Sequence, residues 1–289
     1  MPRTSKHHRL DARCALAYSP RQVVAYRRRV PGETSSTRVR RVVGHVLVGT
    51  VACGQIACLL ELLGAPLTPT IVLGAEAVLV PAFALLAARE PREARAWALG
   101  GFVMWSIWGA LYFGAAAVTQ PPNARTFDDA ILERLPLVPA FASVYVGVHT
   151  FSMIPYCFVP HEKLRRYALG NLLILLLSAI VWVTLPVRLD RPPFAADTPG
   201  FGAWVLRLVY AGDPTTNCFP SAHCSVATYA AIGMRAAPRP FFVWSVVSAV
   251  AICVSTVLTR QHYVADVLGG AVIASLLAWA TRESPRGAT

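Results

Sequence analysis

The sequence predicts an all-α fold, a polytopic membrane helix bundle, and three observations carry that expectation. Of 289 residues, 55% are hydrophobic and 15% charged, with a mean hydropathy of +0.49; ordinary globular domains carry about 25% charge. Apolar runs recur along the chain at close to the roughly 20 residues that cross a hydrocarbon core as a helix. Finally, Lys and Arg concentrate in alternate connections between those runs, as expected of loops on the cytoplasmic side.

Residues 1–41 are basic, poor in apolar runs, and hold only Asp11 and Glu33 as acids. They predict a disordered cytoplasmic tail. The net charge of +12 could suit nucleic acid, but the eleven Lys and Arg residues from Arg3 to Arg41 all precede the first apolar run. That position fits topology and anionic headgroups, so no nucleic-acid partner is expected.

Candidate spans follow at 42–63, 68–88, 96–119, 138–159, 167–187, 221–235, 241–259 and 263–281. The first two form a hairpin over 42–95, in which Pro69 and Pro81 start and kink the second helix; the remaining six make a core over 96–282, with 283–289 as a short tail. With the N-terminus inside, the inner connections hold Arg89, Arg92 and Arg95, then Lys163, Arg165 and Arg166, then Arg235 and Arg239, then Arg282 and Arg286. The opposite side receives Arg188, Arg191, His223, Arg260 and His262. Glu61 and Glu76 read as structural or snorkelling acids of the hairpin, and His149 as a neutral histidine bonded to a neighbouring helix. The seven cysteines show no metal-ligand spacing; Cys218 and Cys224 flank a helix start, which disfavours bridging them.

Three polar islands interrupt the apolar chain: Arg188-Leu189-Asp190-Arg191-Pro192-Pro193, Asn217-Cys218-Phe219-Pro220-Ser221-Ala222-His223, and Arg260-Gln261-His262-Tyr263-Val264-Ala265-Asp266. Ionisable groups beside membrane segments are costly and mark functional sites. On a helix starting near His262, Asp266 falls one turn later on the same face. A carboxylate there fixes the imidazole tautomer and leaves the other nitrogen as a nucleophile. His223 then serves as general acid and base. Pro220-Ser221 reads as a helix start whose hydroxyl and N–H groups hold phosphate oxygens. Arg191, Arg188 and Arg260 add fixed positive charge. The scheme uses no metal and no cofactor, and Asp190 reads as an ion-pair partner of a neighbouring arginine.

Arg-Pro, Pro-Ser-x-His and His-x-x-x-Asp in this order resemble the type-2 phosphatidic acid phosphatase and vanadium haloperoxidase superfamily. Its pattern is Lys-x6-Arg-Pro, Pro-Ser-Gly-His and Ser-Arg-x5-His-x3-Asp, and the likeness covers roughly the last third of the chain. It implies a six-helix core and gives His262, Asp266, His223, Ser221 and Arg191 the roles above. Thr184 stands at the family's Lys, Thr256 at its second Arg, and Ala222 at its glycine; Arg188 and Arg260 are the candidate replacements for the two cations. The stretch 131–139 and Arg260-Gln261-His262-Tyr263 are similar to the membrane branch of inositol phosphorylceramide and sphingomyelin synthases.

The resulting expectation is an integral membrane lipid phosphatase or phosphotransferase. It would act on lipid phosphates or phospholipid headgroups through a phosphohistidine, on the non-cytoplasmic face of a bacterial cell membrane. A phospho-headgroup transferase like inositol phosphorylceramide synthase is the alternative. A non-catalytic lipid binder or transporter is a further one, opposed by retention of both histidines and Asp266. A soluble haloperoxidase is disfavoured by the spanning segments.

Overall fold

A computed structural model describes residues 35–65, 67, 91–119 and 123–281. Helix α1 (Ser35–Leu62) is followed by α2 (Pro91–Val118), a short α3 (Ala130–Arg134), and a helical stretch in four pieces: a 3-10 turn (Pro139–Phe141), α4 (Ala142–Val146), α5 (Val148–Phe151) and α6 (Pro155–Phe158). Then come α7 (His161–Thr184), α8 (Phe201–Gly212), α9 (Ala222–Gly233) with a 3-10 turn (Met234–Ala236), α10 (Arg239–Leu258) and α11 (Val264–Ala280). Among the described residues there is no strand, only two isolated bridges, so the helical class is as the composition predicts.

Among the described residues, three helical segments are long and apolar enough to cross a membrane: Val42–Leu62, Lys163–Thr184 and Arg239–Leu258. Shorter apolar helices cover Ser106–Val118, Phe201–Gly212 and Val264–Ala280. The predicted span at 68–88, with Pro69, Glu76 and Pro81, lies outside the described residues, as do residues 1–34 of the predicted tail. Helix α1 already begins at Ser35, where the sequence reading kept the tail to residue 41.

Two elements differ from the sequence reading. The predicted span at 138–159 is interrupted rather than continuous. Pro139 and Pro155 open two of its pieces, and neither proline can donate an N–H to the preceding turn. Helix α8 was not anticipated, because twelve residues rise only about 18 Å and hydropathy windows look for longer runs. It is nonetheless an apolar element: Phe201, Val205 and Leu206 pack with Ala57 and Ala142 in a separate buried cluster. Its N-terminus is met by Glu61, whose two carboxylate oxygens accept from the Gly202 N–H at 3.0 and 2.9 Å. That is the favourable place for a negative charge on a helix.

The centre of the bundle is α9. Its Ala222, His223, Cys224, Ser225, Val226, Ala227, Tyr229, Ala230 and Ala231 are all buried, and small side chains among them let neighbours approach closely. A Cβ on Gly270 of α11 would lie 2.5 Å from the Ser221 carbonyl oxygen, so glycine is what permits α11 to close on the start of α9. The main core joins Val226, Ala227, Ala230 and Met234 to Phe151, Ile154, Ile174, Ile252 and Ala274.

Candidate active site

The three polar islands meet because their backbones are stitched together. Val187 pairs with both Arg125 and Asn217 in parallel bridges. The Arg188 N–H donates to the Arg125 carbonyl at 2.8 Å, Leu189 N–H to Thr215 at 3.1 Å, and Cys218 N–H to Val187 at 3.2 Å. The third island is joined to the second through His262 Nδ1, which lies 3.0 Å from the Cys218 carbonyl oxygen. Tyr263 hydroxyl donates to the Arg188 carbonyl at 3.0 Å, which closes the ring of loops.

The chain reaches His262 through a helix C-terminus of defined form. Arg260, at φ 55°, occupies the left-handed position after α10. Its N–H donates to the Val257 carbonyl at 3.0 Å, and the Gln261 N–H to the Thr256 carbonyl at 2.9 Å. These are the two bonds of a Schellman motif, in which glycine is the usual left-handed residue. An arginine there carries a steric cost of about 1–2 kcal/mol. Its guanidinium donates to the carbonyls of Leu132 and Leu135, so side-chain bonds offset that cost and clip the 131–139 stretch to the loop of His262. Asp129 adds a further clip: Oδ1 accepts from Ile131 and Leu132 N–H groups as the cap of α3, and Oδ2 accepts from Val264 N–H at 2.8 Å.

Helix α11 starts at Val264, one residue after the start of the predicted span at 263–281, so His262 lies just before the helix rather than on its first turn. The Asp266 carboxylate instead folds back over the helix start, where Oδ2 accepts from Tyr263 N–H at 2.8 Å and lies 3.4 Å from His262 Nδ1. The shorter contact of Nδ1 is the Cys218 carbonyl, an acceptor without protonation states. A carbonyl obliges Nδ1 to carry the proton, which leaves the Nε2 lone pair for chemistry. The backbone of Cys218 is thus an orienting group that sequence reasoning missed, and no side-chain pattern could have supplied it. His262 and Asp266 are both buried.

His223 is buried at the first turn of α9, its ring centroid 5.7 Å from that of His262. Ser221 caps this helix as predicted, its hydroxyl accepting from Cys224 N–H at 3.2 Å. The His223 ring stacks on Tyr145 at 4.5 Å and is flanked by Trp108 at 6.3 Å and Tyr112 at 6.4 Å. Its Nδ1 has no hydrogen-bond partner among the described residues. His149 lies 5.8 Å from His223 and 5.2 Å from Trp108, so the histidine read as a mid-span structural residue borders the pair.

Asp213 was also absent from the sequence reading. Tyr112 and Tyr145, the tyrosines against His223, donate to its two carboxylate oxygens at 2.5 and 2.8 Å. Arg191 approaches the same carboxylate at 3.6 Å and donates to the Asp213 carbonyl at 2.8 Å and to Gln261 Oε1 at 2.6 Å. Arg191 is therefore tied both to the enclosure of His223 and to the loop of His262. The other predicted cations are engaged elsewhere: Arg188 with Asp190 at 3.2 Å, as the sequence suggested for Asp190, and Arg260 with α3. Thr184, at the family's Lys position, bonds back to its own helix, and Thr256 lends its carbonyl to the Schellman turn.

Cys218 and Cys224 are both free thiols. In space, Cys218 joins His262 and Asp266, with potential ligand atoms within 4.8 Å of one another, a grouping that linear spacing did not show. Burial pushes the Cys218 thiol well above its usual range, and its Sγ donates to the Thr215 carbonyl at 3.2 Å. A protonated, hydrogen-bonded thiol is a poor metal ligand.

No curated protein and no solved structure matches the chain. Residues 163–288, somewhat under half of it, match the family model of the PAP2 superfamily, a span that includes the three islands and both histidines. The similarity to the PAP2 superfamily therefore lies in the C-terminal part of this chain, among helices apolar enough for a membrane.

Proposed function

We propose that the protein is an integral membrane lipid phosphatase or phosphotransferase, acting on lipid phosphates or phospholipid headgroups through a phosphohistidine at His262. The observation that carries this reading is the Nδ1 contact of His262 with the Cys218 carbonyl and Asp266, with His223 beside it. Together they leave Nε2 of His262 as a nucleophile next to a second buried imidazole.

In the proposed reaction, Nε2 attacks phosphorus in line with the ester oxygen. The P–O bond to the leaving group breaks, and the alkoxide takes its proton from His223. His223, now neutral, accepts a proton from water as that water attacks the phosphohistidine; inorganic phosphate leaves and His262 returns to its starting tautomer. If a lipid hydroxyl replaces water, the same steps transfer the phospho-group to a lipid. Catalysis of this kind rests on positioning and on fixed charge at the equatorial oxygens. Arg191, Ser221 and the N-terminus of α9 are the groups we assign to that charge. The apolar helices support a lipid substrate, and the basic connections support a site on the non-cytoplasmic face.

The test uses purified protein in mixed micelles with EDTA, a panel of labelled lipid phosphates and phospholipids, and His262→Ala as control. Phosphate release that is lost in the variant is the expected result. New labelled lipid that depends on an added acceptor would make the protein a transferase, and neither product from folded protein would refute the proposal.

A further inference from the structure

The charge that a phosphate meets decides which ionic form of it a site accepts. Among the described residues, the three polar islands bring three arginines to this end of the bundle, and two of them face away from the histidine pair. Arg188 lies against the carboxylate of Asp190, with Nε 3.2 Å from Oδ1 and Nη2 3.3 Å from Oδ2. Arg260 directs its guanidinium to the carbonyls of Leu132 and Leu135.

Arg191 is nearly saturated as well. Its Nη1 donates to the Tyr210 and Asp213 carbonyls at 3.2 and 2.8 Å, and its Nη2 to Gln261 Oε1 at 2.6 Å and to the Pro214 carbonyl at 3.4 Å. Of the five N–H donors of a guanidinium, the one on Nε is left for a ligand. The charge itself is opposed by the Asp213 carboxylate at 3.6 Å. A second carboxylate, the fully buried Asp266, lies behind the nucleophile, and its Oδ1 has no hydrogen-bond partner among the described residues. Arg191 and a protonated His223 are therefore already balanced by two carboxylates before a substrate arrives. Negative charge buried without a partner is costly, so each further charge on the phosphate weakens its hold. A phosphate monoester carries nearly two charges at neutral pH, with a second pKa of about 6. A diester has one ionisable oxygen and carries one.

We propose that the site takes its phospho-group as a monoanion: the phosphodiester of a phospholipid headgroup, or a lipid phosphate monoester only in its singly protonated form. The inference rests on the proposed histidine chemistry and adds the charge state of the substrate to it. In both cases Nε2 of His262 bonds to phosphorus, the bond to the lipid oxygen breaks, and His223 protonates that oxygen. With a diester, the headgroup alcohol stays on the phosphohistidine until water or an acceptor hydroxyl, losing its proton to His223, displaces the imidazole.

The test compares dioleoyl phosphatidic acid with dioleoyl phosphatidylmethanol, which differ by one methyl ester and one charge and both release diacylglycerol. Each is given to the full chain in mixed micelles, with dodecanol as an acceptor hydroxyl. At pH 7.5 about 3% of a monoester with a second pKa of about 6 is monoanionic, so its kcat/KM should fall about thirtyfold below that of the diester. Lowering the pH to 5.5 should raise the monoester-to-diester ratio about 25-fold. His262, His223, Asp266 and Asp213 act on both substrates, so their own titration cancels in that ratio. Asp213→Asn should raise the ratio at pH 7.5 about threefold or more, since one nearby negative charge is gone; a merely structural loss would lower both substrates together. A monoester preferred at pH 7.5, or a ratio flat with pH, with both activities lost in His262→Ala, would overturn this inference and leave the histidine chemistry standing. Diacylglycerol from neither substrate, with folded protein, would refute both.

Discussion

Asp213 is the residue through which the two halves of the site should be felt together. Its carboxylate accepts from Tyr112 and Tyr145, which enclose His223, and faces Arg191, which holds the loop of His262. A hydrogen bond to a charged group contributes about 1.5–3 kcal/mol. Asp213→Ala removes two of these and leaves two buried hydroxyls and a partly buried guanidinium without their carboxylate, for a loss of about 3–5 kcal/mol. Asp213→Asn keeps an acceptor oxygen and loses the charge, so about 2 kcal/mol is expected. In a chain of this size the alanine variant should unfold about 10 °C lower, read by tryptophan fluorescence in detergent micelles. The sharper assay is a double-mutant cycle with Tyr145→Phe, which removes only the hydroxyl and keeps the ring on His223. The coupling should be about 1–2 kcal/mol; additivity within about 0.3 kcal/mol would refute the claim that Asp213 acts through these tyrosines.

Three further outcomes follow from local geometry. Arg260→Ala and Arg260→Gly both lose the bonds to Leu132 and Leu135, but only glycine relieves the left-handed backbone. The glycine variant should therefore be about 1 kcal/mol the more stable of the two in denaturation from mixed micelles. Gly270→Ala places a methyl against the Ser221 carbonyl and should cost about 1–3 kcal/mol as α11 is forced off α9, with lower thermal stability and turnover as the readouts. Burial raises the Cys218 pKa, so less thiolate is present at a given pH than in the unfolded chain. Alkylation of Cys218 at pH 8 should be slow in the folded protein and rise on unfolding; a rate equal to that of the unfolded chain would contradict the buried, hydrogen-bonded thiol.

The parts of this structure that sequence disclosed are those in which side-chain chemistry repeats at fixed spacing. The helical class came from composition and from apolar runs of spanning length, and the cap at Ser221 from Pro-Ser before an apolar run. His262, Asp266 and His223 stood out because ionisable groups interrupt apolar surroundings. Elements that depend on backbone geometry stayed hidden. The Schellman turn at Arg260 lacks the glycine that announces such turns, the Cys218 carbonyl leaves no residue signature, and α8 is too short for a hydropathy window. Asp213 was hidden for a different reason: a lone aspartate in a loop has no local pattern, and its partners, Tyr112 and Tyr145, lie 101 and 68 residues away.

The same geometry bears on the two cations that the resemblance leads one to expect and the chain lacks. Two helix N-termini meet at the proposed phosphate position. That of α11 already receives carboxylates, since Asp266 accepts from Tyr263 N–H and Asp129 from Val264 N–H, and its positive end is offset. That of α9 is capped by the neutral Ser221 hydroxyl and keeps its dipole for an anion. With Arg188 paired to Asp190 and Arg260 bound to α3, the remaining fixed charge is Arg191, set between Asp213 and Gln261. On the proposed chemistry, Arg191→Lys should weaken vanadate inhibition about tenfold or more, because an ammonium cannot hold Gln261, the Asp213 backbone and an oxyanion in one planar fork. Arg188→Lys, at an exposed pair, should change it little. Titration of turnover with vanadate distinguishes them: equal loss in both variants would mean that the substitute cations act as a set, and that the helix start of α9 contributes less than argued.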